Sequence, residues 1–262
     1  MILEDPLVVR SDRADGLTTL TLNRPGQFNS LSQDMLTALQ CELDAIAASE
    51  AVRVVVIAGA GKAFCAGHDL KEMRSNHDKG FMQALFQQCG ELMLTLTRMP
   101  QPVIARVHGI ATAAGCQLVS MCDLAVAADV ARFAVSGINV GLFCSTPAVG
   151  LARNLGRKAA LEMLLTGDFI DAMEAKAKGL VNRVVPADAL DAEVERLTQS
   201  ILAKSAVAVR IGKGMYYKQL EMGLTEAYAY ASEVMACNMM SEDAGEGIDA
   251  FMQKRKPEYK GR

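Results

Sequence analysis

Residues 54–73 constrain the fold more than any other part of the chain. They begin with an uninterrupted apolar run, Val-Val-Val-Ile-Ala, which is typical of a strand buried on both faces. The next fifteen residues, Gly-Ala-Gly-Lys-Ala-Phe-Cys-Ala-Gly-His-Asp-Leu-Lys-Glu-Met, contain three glycines and end in residues that favour a helix. This order predicts a strand–turn–helix junction whose backbone lies close to a ligand.

A second junction of the same kind spans residues 108–118, His-Gly-Ile-Ala-Thr-Ala-Ala-Gly-Cys-Gln-Leu, and follows another apolar run. The start of a helix leaves backbone N–H groups unpaired, so such a junction suits an anion or a developing oxyanion. We expect the two junctions to face each other across one site.

The rest of the chain alternates strand and helix signals up to about residue 185 and is mainly helical afterwards. Ser32 is placed to N-cap a helix whose apolar residues recur every three or four positions. The polar stretch 74–80 is predicted to be a loop. The alternation predicts an α/β core, which we assign to residues 1–195, followed by a helical region over residues 196–262. Strands are expected at 7–10, 17–22, 52–58, 102–107, 124–128 and 181–185, and helices near 32–46, 85–99, 115–121, 158–166, 171–178, 187–203, 207–220 and 224–240.

Composition and charge exclude several classes of function. The chain has 262 residues, a net charge of -3 and no tryptophan, which disfavours a nucleic-acid partner. No apolar run is long enough to span a bilayer. The first residues, Met-Ile-Leu-Glu-Asp-Pro, resemble neither a signal peptide nor a transit peptide. We therefore expect no membrane association and a cytoplasmic location.

Seven cysteines and three histidines occur without any metal-ligand spacing. We expect no metal site, and reduced cysteines that are mostly buried. The stretch Gly-Ala-Gly-Lys lacks the G-x-x-x-x-G-K-[ST] pattern of a phosphate-binding loop, the G-x-G-x-x-G pattern fails at Phe64, and no G-x-S-x-G is present. The two glycine-rich junctions remain as the candidate site of a chemical reaction.

These junctions closely resemble the two signature segments of the crotonase (enoyl-CoA hydratase/isomerase) superfamily. The resemblance also includes residues 22–31, 165–168, 175–185 and the Lys-Arg-Lys tail, and so covers nearly the whole chain. Within the superfamily, residues 67–72 and 141–147 are most similar to the branch of enoyl-CoA hydratase domain-containing protein 3.

The resemblance implies a crotonase-like spiral of ββα units, a C-terminal helical trimerisation region and an acyl-CoA ligand. Coenzyme A would be part of the substrate thioester, with no permanently bound cofactor, and the assembly would be a homotrimer or a dimer of trimers. The thioester oxygen would lie between two backbone N–H groups, those of His68 and Ala114. Residues that match positions lining the CoA and acyl channel, including Lys71 near the CoA phosphates and two tail residues, are Gln27, Phe28, Ala66, His68, Asp69, Leu70, Lys71, Phe251 and Lys254.

The chain departs from the hydratase pattern at both catalytic carboxylates. The two glutamates that hold and deprotonate water in the family's hydratases match Gln117 and Gly137. Glutamine cannot accept a proton near neutral pH, and a positioned acid–base group contributes ~10²–10⁴-fold to a rate. Hydration is therefore expected to be slow, and restoring glutamate at both positions is expected to raise it if the scaffold is otherwise intact.

No other acid–base residue is identified by the sequence. Asp69 is interpreted as a brace of the first junction, and Cys144 as a pocket or loop residue. His77 and Asp78 lie in the polar stretch and are kept as minor candidates.

Two functions stay open from the sequence. The first is an enoyl-CoA hydratase-like or isomerase-like enzyme that stabilises a thioester enolate. The second is an acyl-CoA-binding protein that has lost the chemistry and serves as a carrier, sensor or partner subunit.

Overall fold

Two β-sheets form the framework of the protein. The computed structural model describes residues 5–262. One sheet has six strands in the order β1-β2-β3-β5-β7-β10, and the other has four in the order β4-β6-β8-β9. The strands are β1 (Val8–Asp12), β2 (Leu17–Leu22), β3 (Val54–Gly59), β4 (Ala63–Cys65), β5 (Val103–Val107), β6 (Ile110–Thr112), β7 (Leu124–Ala128), β8 (Arg132–Ala134), β9 (Ile170–Asp171) and β10 (Arg183–Val185).

Eleven α-helices within residues 5–262 surround the sheets. They are α1 (Gln33–Ala47), α2 (Leu70–Ser75), α3 (Lys79–Arg98), α4 (Ala114–Met121), α5 (Ser145–Asn154), α6 (Arg157–Thr166), α7 (Ala172–Lys178), α8 (Leu190–Leu202), α9 (Ala206–Gln219), α10 (Leu224–Met239) and α11 (Glu242–Gln253).

The chain winds as a spiral in which each turn contributes one strand to each sheet. The pairs β3/β4, β5/β6 and β7/β8 each place their first strand in the large sheet and their second in the small one, and helices follow each pair. Neighbouring turns pair in parallel. The ends of successive strands therefore meet on one side of the molecule, where the two glycine-rich junctions lie. The predicted ββα spiral is confirmed.

The apolar run of β3 is buried on both faces of the large sheet. Val55 and Ile57 belong to the main core with α1 and α3, whereas Val54 and Val56 pack with residues of α8. Because side chains alternate along a strand, a strand covered on both faces requires a continuous apolar sequence.

The C-terminal third is helical, and one charged cluster attaches it to the core. The Nζ atom of Lys213 in α9 donates to Asp123 Oδ2 at 2.7 Å and to the carbonyl oxygens of Leu96 and Gln101 at 2.7 and 2.8 Å. The hydroxyl of Tyr217 donates to Asp123 Oδ1 at 2.8 Å. We call this group the Lys213 cluster.

The boundary predicted at residue 195 lies inside α8, whose apolar face packs on the large sheet. Helix α8 is thus part of the core, and we propose that the helical region begins after it, at residue 203.

Most predicted elements are present, with four differences. The polar stretch 74–80 is mostly helical, since α2 ends at Ser75 and α3 begins at Lys79. Helices α5 and α11 and the whole four-stranded sheet were not predicted. The strands of that sheet have only two or three residues, too few to produce a recognisable alternation.

Candidate functional site

A cavity of about 290 Å³ opens where the two glycine-rich junctions meet. It is lined by apolar side chains, backbone of both junctions and a few hydroxyl groups. The lining residues come from the first junction, the second junction, α3 and the segment that leads into α5. They include Ala66, His68, Leu70, Phe86, Ala114, Ser136, Gly137, Leu142, Cys144 and Ser145.

The first junction directs the backbone N–H of His68 away from the core. Leu31 pairs with this segment: its N–H donates to Gly67 O at 2.7 Å, and its carbonyl accepts from Asp69 N at 3.3 Å. Along an extended chain, successive N–H groups point to opposite sides. The N–H of His68, between these two contacts, therefore points away from Leu31, and it donates to no backbone group within residues 5–262.

The second junction presents the N–H of Ala114. Ala114 is the first residue of α4, so its N–H has no partner within the helix. The preceding residue, Ala113, has φ 49° and ψ −121°, a conformation that is costly for any residue other than glycine. Such strain persists where the surrounding structure imposes it, and it occurs preferentially at functional sites.

The two junctions touch at Gly67. A Cβ atom on Gly67, whose φ is 89°, would lie 2.8 Å from Ala113 Cβ, 3.0 Å from Thr112 O and 3.1 Å from Ala114 N. Only glycine permits both this backbone conformation and this approach. His68, the next residue, and Ala114 both line the cavity beside this contact.

The imidazole of His68 is held in its neutral form. Its Nδ1 lies 3.2 Å from Leu31 O, which can only accept, so Nδ1 carries the proton. Burial lowers the pKa of His68, and the contact with Leu31 opposes this only in part. The ring packs edge-to-face against Phe86, with centroids 5.4 Å apart. Its Nε2 is buried and has no hydrogen-bond partner in residues 5–262.

Position 137 lines the cavity but has no room for a side chain. A Cβ on Gly137 would lie 2.6 Å from Leu142 O and 2.7 Å from Cys144 Sγ. Cys144 is buried and its thiol donates to Val135 O at 3.5 Å. Desolvation raises the pKa of this thiol, so it is protonated at neutral pH. The expectation that glutamate at this position would restore hydration is thus corrected, because backbone and sulfur occupy its space.

Gln117 is buried, and it is not among the residues that line the cavity. It is 4% exposed, and its Oε1 accepts no hydrogen bond from residues 5–262. It follows Ala114 by three positions, hence lies on the same face of α4. Helical side chains lean toward the N-terminus of their helix, which places the amide toward the end of α4 that borders the cavity.

Asp69 braces the first junction. Its Oδ1 accepts from the N–H groups of Lys71 and Glu72 at 3.0 and 3.2 Å and so caps α2, while Oδ2 pairs with Arg24 at 2.8 Å. Burial alone would raise the pKa of Asp69, but these hydrogen bonds and the ion pair with Arg24 lower it. Glu72 accepts from Gln33 N at 3.2 Å. Neither carboxylate lines the cavity.

The remaining sequence candidates divide into two groups. Ala66 and Leu70 line the cavity beside His68. Five others are exposed and lie outside it in this single chain: Gln27, Phe28, Lys71, Phe251 and Lys254. Asp78 caps α3 through the N–H groups of Gly80 and Phe81 at 3.2 and 2.8 Å, which gives it a structural role, and His77 is exposed.

Sequence reasoning missed the wall of the cavity formed by Phe86, Ser136 and Leu142. Phe86 lies on α3 one residue after Leu85, an apolar position of the predicted helix, but the sequence gave no sign that it faces a ligand. Ser136 bonds to Thr112, with the two hydroxyl oxygens 2.8 Å apart. Leu142 belongs to a segment without periodicity, so no local pattern could place it.

All seven cysteines are free, and five of them are buried, as predicted. Within residues 5–262, no cluster of three or more His, Cys, Asp or Glu side chains is suitable for a metal ion. No helix in the same range is both long and apolar enough to cross a membrane.

Comparison with known proteins agrees with this geometry. The family model of enoyl-CoA hydratase/isomerase matches residues 12–262. A crystal structure of an enoyl-CoA hydratase from Mycobacterium smegmatis is 58% identical, covers 97% of this chain and 99% of its own, and superposes with a TM-score of 0.96. The crystal structure of human enoyl-CoA hydratase domain-containing protein 3 is 44% identical, covers 97% and 100% of the two chains, and gives a TM-score of 0.94. The mouse protein of that name is 45% identical over 97% of this chain and 84% of its own length.

These relatives overturn the expectation of a cytoplasmic location. The proteins of this name from mouse, rat, Xenopus laevis and human are all named as mitochondrial. Targeting signals are read separately from the fold, so the composition of the chain was not a valid basis for assigning a compartment.

The fold, the two facing junctions and the matches over nearly the whole chain lead to one conclusion: the chain belongs to the enoyl-CoA hydratase/isomerase family, in the branch of enoyl-CoA hydratase domain-containing protein 3.

Proposed function

We propose that the protein is an enzyme that binds an acyl-CoA thioester and stabilises its enolate through the N–H groups of His68 and Ala114. The observation that supports the proposal is the contact of the two junctions at Gly67, together with the presence of both His68 and Ala114 in the cavity lining. Negative charge that develops on a thioester oxygen there would meet two fixed donors. One such donor is typically worth ~10²–10³ in rate.

The acyl group would occupy the cavity, and coenzyme A would lie outside it as part of the substrate. Gln27, Phe28 and Lys71 are exposed residues outside the cavity, and they are proposed to contact CoA. Asp69 would act indirectly, because its cap and its pair with Arg24 hold the turn that contains His68.

We further propose a homotrimer or a dimer of trimers formed through the helical region. Helix α10 exposes Leu224, Tyr228 and Met235 by 64–77%, and exposed apolar patches of this kind are typical of protein interfaces. Phe251 and Lys254 would then contact CoA bound to a neighbouring subunit. Light scattering coupled to size exclusion tests the oligomeric state.

The alternative is an acyl-CoA-binding protein without chemistry. It is favoured by the absence of any Asp or Glu among the residues that line the cavity. The two functions predict the same affinity for CoA thioesters and differ in turnover.

The test removes one donor and keeps the fold. Ala114→Pro removes the N–H and puts the proline ring in its place, and proline is favoured at the first position of a helix. Arg157→Pro is the matched control: Arg157 is the exposed first residue of α6, and Gly156 before it has φ −60° and ψ 144°, which suits a residue preceding proline. Turnover of a panel of enoyl-, 2-carboxyacyl- and saturated acyl-CoA thioesters is followed by mass spectrometry.

We expect Ala114→Pro to lower turnover by ~10²–10³, whereas Arg157→Pro retains it. Binding of a saturated acyl-CoA without turnover of any thioester would favour the carrier. Absence of binding to every CoA thioester would contradict both functions. Unfolding midpoints of both variants identify a loss that results from misfolding, given the strained backbone of Ala113.

A further inference from the structure

A second cavity, of about 790 Å³, lies at the opposite edge of the large sheet from the first. Its lining includes Val52 and Arg53, which precede β3, and Pro100 and Gln101, which precede β5. The glycine-rich junctions follow the other ends of these two parallel strands, and a six-residue strand such as β3 is about 20 Å long. The two cavities share no lining residue, so the second is distinct from the first.

Positive charge dominates the second cavity, which we call the basic cleft. Its walls are the end of α1, the start of α9 and the segment 259–262, and its lining contains one acidic side chain, Glu50. Four cationic side chains line it: Arg53, Arg210, Lys260 and Arg262. The whole chain has a net charge of -3, so this concentration of positive charge does not follow from the composition. A concave site of one sign raises the local concentration of ions of the opposite sign.

Arg53 is the least exposed of the four cations, and it is held in place from two sides. Its backbone N–H donates to Gly16 O at 2.7 Å, and a Cβ atom on Gly16 would lie only 2.6 Å from Arg53 Cγ. Its Nη2 donates to Lys204 O at 2.8 Å, the one side-chain hydrogen bond of Arg53 within residues 5–262. A guanidinium group has five N–H donors, so most of them are available to a ligand in the basic cleft.

The charge of Arg53 has no carboxylate of its own. Burial lowers the pKa of Arg53, and the negative charge of Asp243 opposes this only in part. The oxygens of Asp243 already accept from the Ser205 hydroxyl at 2.6 Å and from the N–H groups of Lys260 and Gly261 at 2.7 and 3.0 Å. A partly buried cation with free donors is stabilised by an anion that enters from outside the chain.

The other three cations are also only partly neutralised. Arg210 is exposed and forms no ion pair within residues 5–262. Lys260 and Arg262 share a single carboxylate, that of Glu242, at 4.0 and 3.2 Å. The hydrogen bonds to Asp243 fix the backbone of this segment, and Arg262 O accepts from Asp243 N at 3.0 Å. The cations of the basic cleft are therefore positioned before any ligand binds.

Two uncharged groups of the basic cleft lack partners as well. Ala206 is the first residue of α9, and its N–H donates to no backbone group within residues 5–262. Gln101 is 4% exposed; its Nε2 holds the end of α1 through the carbonyls of Ile46 and Ser49, whereas its Oε1 has no donor in the described chain. A buried acceptor of this kind usually has an ordered water or a ligand as its partner.

We propose that the basic cleft binds a small molecule that carries a diphosphate group, with Arg53 as the main phosphate contact. The planar guanidinium fork donates two parallel hydrogen bonds to one phosphate, and Arg210 and Lys260 supply charge for the second. Tyr259, which is 36% exposed, offers an aromatic ring to a sugar or base attached to the diphosphate. The volume lies within the range of small-molecule sites. This site is additional to the proposed function and does not depend on it.

Calorimetric titration of the full chain with pyrophosphate, ADP and orthophosphate tests the site, at low and at high salt. The variants are Arg53→Gln, Arg53→Lys and the double variant Arg210→Gln with Lys260→Gln. Arg157→Gln is the matched control, because Arg157 is exposed, forms no ion pair within residues 5–262 and lies outside the basic cleft. Lys71→Gln is a second control, since Lys71 is the residue proposed to contact the phosphates of CoA.

We expect pyrophosphate and ADP to bind the unaltered chain, and orthophosphate to bind more weakly than either. Arg53→Gln should weaken both ligands about 10- to 100-fold, as is typical when a hydrogen bond with a charged group is lost. Arg53→Lys keeps the charge without the fork and should lose less. The double variant should lose about two- to tenfold, because its charges are exposed. Both controls should retain the affinity, and high salt should lower it.

The comparison of the two ligands identifies the source of the diphosphate. Equal affinities would mean that the diphosphate group alone is recognised, and tighter binding of ADP would mean that the basic cleft takes a nucleotide.

Three results would overturn the inference. The first is that neither pyrophosphate nor ADP binds at low salt, and the second is that orthophosphate binds as tightly as pyrophosphate. The third is binding that depends on Lys71 but not on Arg53, which would assign the diphosphate to the proposed CoA site and leave the proposed function standing. Unfolding midpoints show whether Arg53→Gln is folded. Should it not fold, the double variant decides, and an unchanged affinity there would contradict the inference.

Discussion

Two buried polar regions of the protein contrast in how their hydrogen-bonding groups are satisfied. In the Lys213 cluster, Lys213 Nζ has three acceptors and both oxygens of Asp123 have donors, including Val103 N at 2.6 Å. At the cavity, His68 Nε2 has no partner in the described chain, and neither does Oε1 of Gln117 in the adjoining helix α4. Ala113, also at the cavity, is strained.

The difference separates a structural region from a functional one. A buried charge that is fully paired contributes to attachment of α9, because removing either partner leaves the other unpaired in a poorly solvated place. A buried acceptor without a donor costs free energy on folding. Buried polar atoms without a partner also occur at Gln40, Gln101, His108 and Asn238, so it is the combination with the strained backbone of Ala113 that is the pattern expected of a ligand site.

The largest effect on stability is expected from Lys213→Met. The change leaves Asp123 without its cation, and breaking a buried ion pair in this way costs about 3–5 kcal/mol of unfolding free energy. Chemical denaturation measures it. The double variant Lys213→Met with Asp123→Asn removes both charges and keeps one acceptor oxygen, for either Val103 N or the Tyr217 hydroxyl, so it should lose less. An equal loss in both variants would mean that the charge of Asp123 is not the cause.

A smaller loss of stability is expected when a side chain is added at position 137 of the cavity wall. Gly137→Ala places a methyl group against Leu142 O and Cys144 Sγ, and overpacking of this kind costs about 1–3 kcal/mol. Gly90→Ala is the matched control: Gly90 lies within α3, and nothing lies within 4 Å of its Cβ position. That variant should gain about 0.5–1 kcal/mol from higher helix propensity. Equal stability of the two variants would show that the segment around Leu142 moves freely.

The next effect concerns pH. The pKa of His68 is lowered from 6.5 in the folded state, mainly by burial, so the unfolded chain binds more protons below pH 6.5. Stability is therefore fully present above this pH and is lost as pH falls below it, by at most about 1.4 kcal/mol per pH unit for one histidine. In His68→Phe, the contribution of His68 to the change of unfolding free energy with pH should disappear. His108, whose pKa burial also lowers, remains in the variant, and an unchanged slope would assign the whole effect to other groups.

The smallest effect is expected at the brace of the first junction. Asp69→Ala removes the cap of α2 and should cost about 1 kcal/mol, while Asp69→Asn keeps a capping oxygen and loses only the charge paired with Arg24. Thermal unfolding of the two variants distinguishes the contribution of the helix cap to stability from that of the ion pair with Arg24. If both lose the same stability, the ion pair rather than the cap is the important contact.

Local sequence was sufficient for the parts of the molecule that have a local cause. The run before Gly59 predicted β3, and Ser32 caps α1 as expected by accepting from Met35 N at 3.2 Å. The two junctions recognised in the sequence are in contact at Gly67. The small sheet was missed because its strands are very short and are defined by their neighbours in space. The closure of position 137 was also missed. It depends on a contact with Leu142 and Cys144 across a turn, whereas the sequence shows only that the residue is glycine.

The backbone of Ala113 has a consequence for the rate of any reaction in the cavity. A donor that is free to rotate must first be turned toward the oxygen that becomes charged, and this reorganisation raises the barrier at each turnover. At Ala113 the unfavourable torsion angles are adopted once, when the chain folds, and the direction of the Ala114 N–H is set from then on. Ala113→Gly would relax that strain and make the protein more stable, and the N–H of Ala114, the proposed donor, would then have a less fixed direction before each turnover.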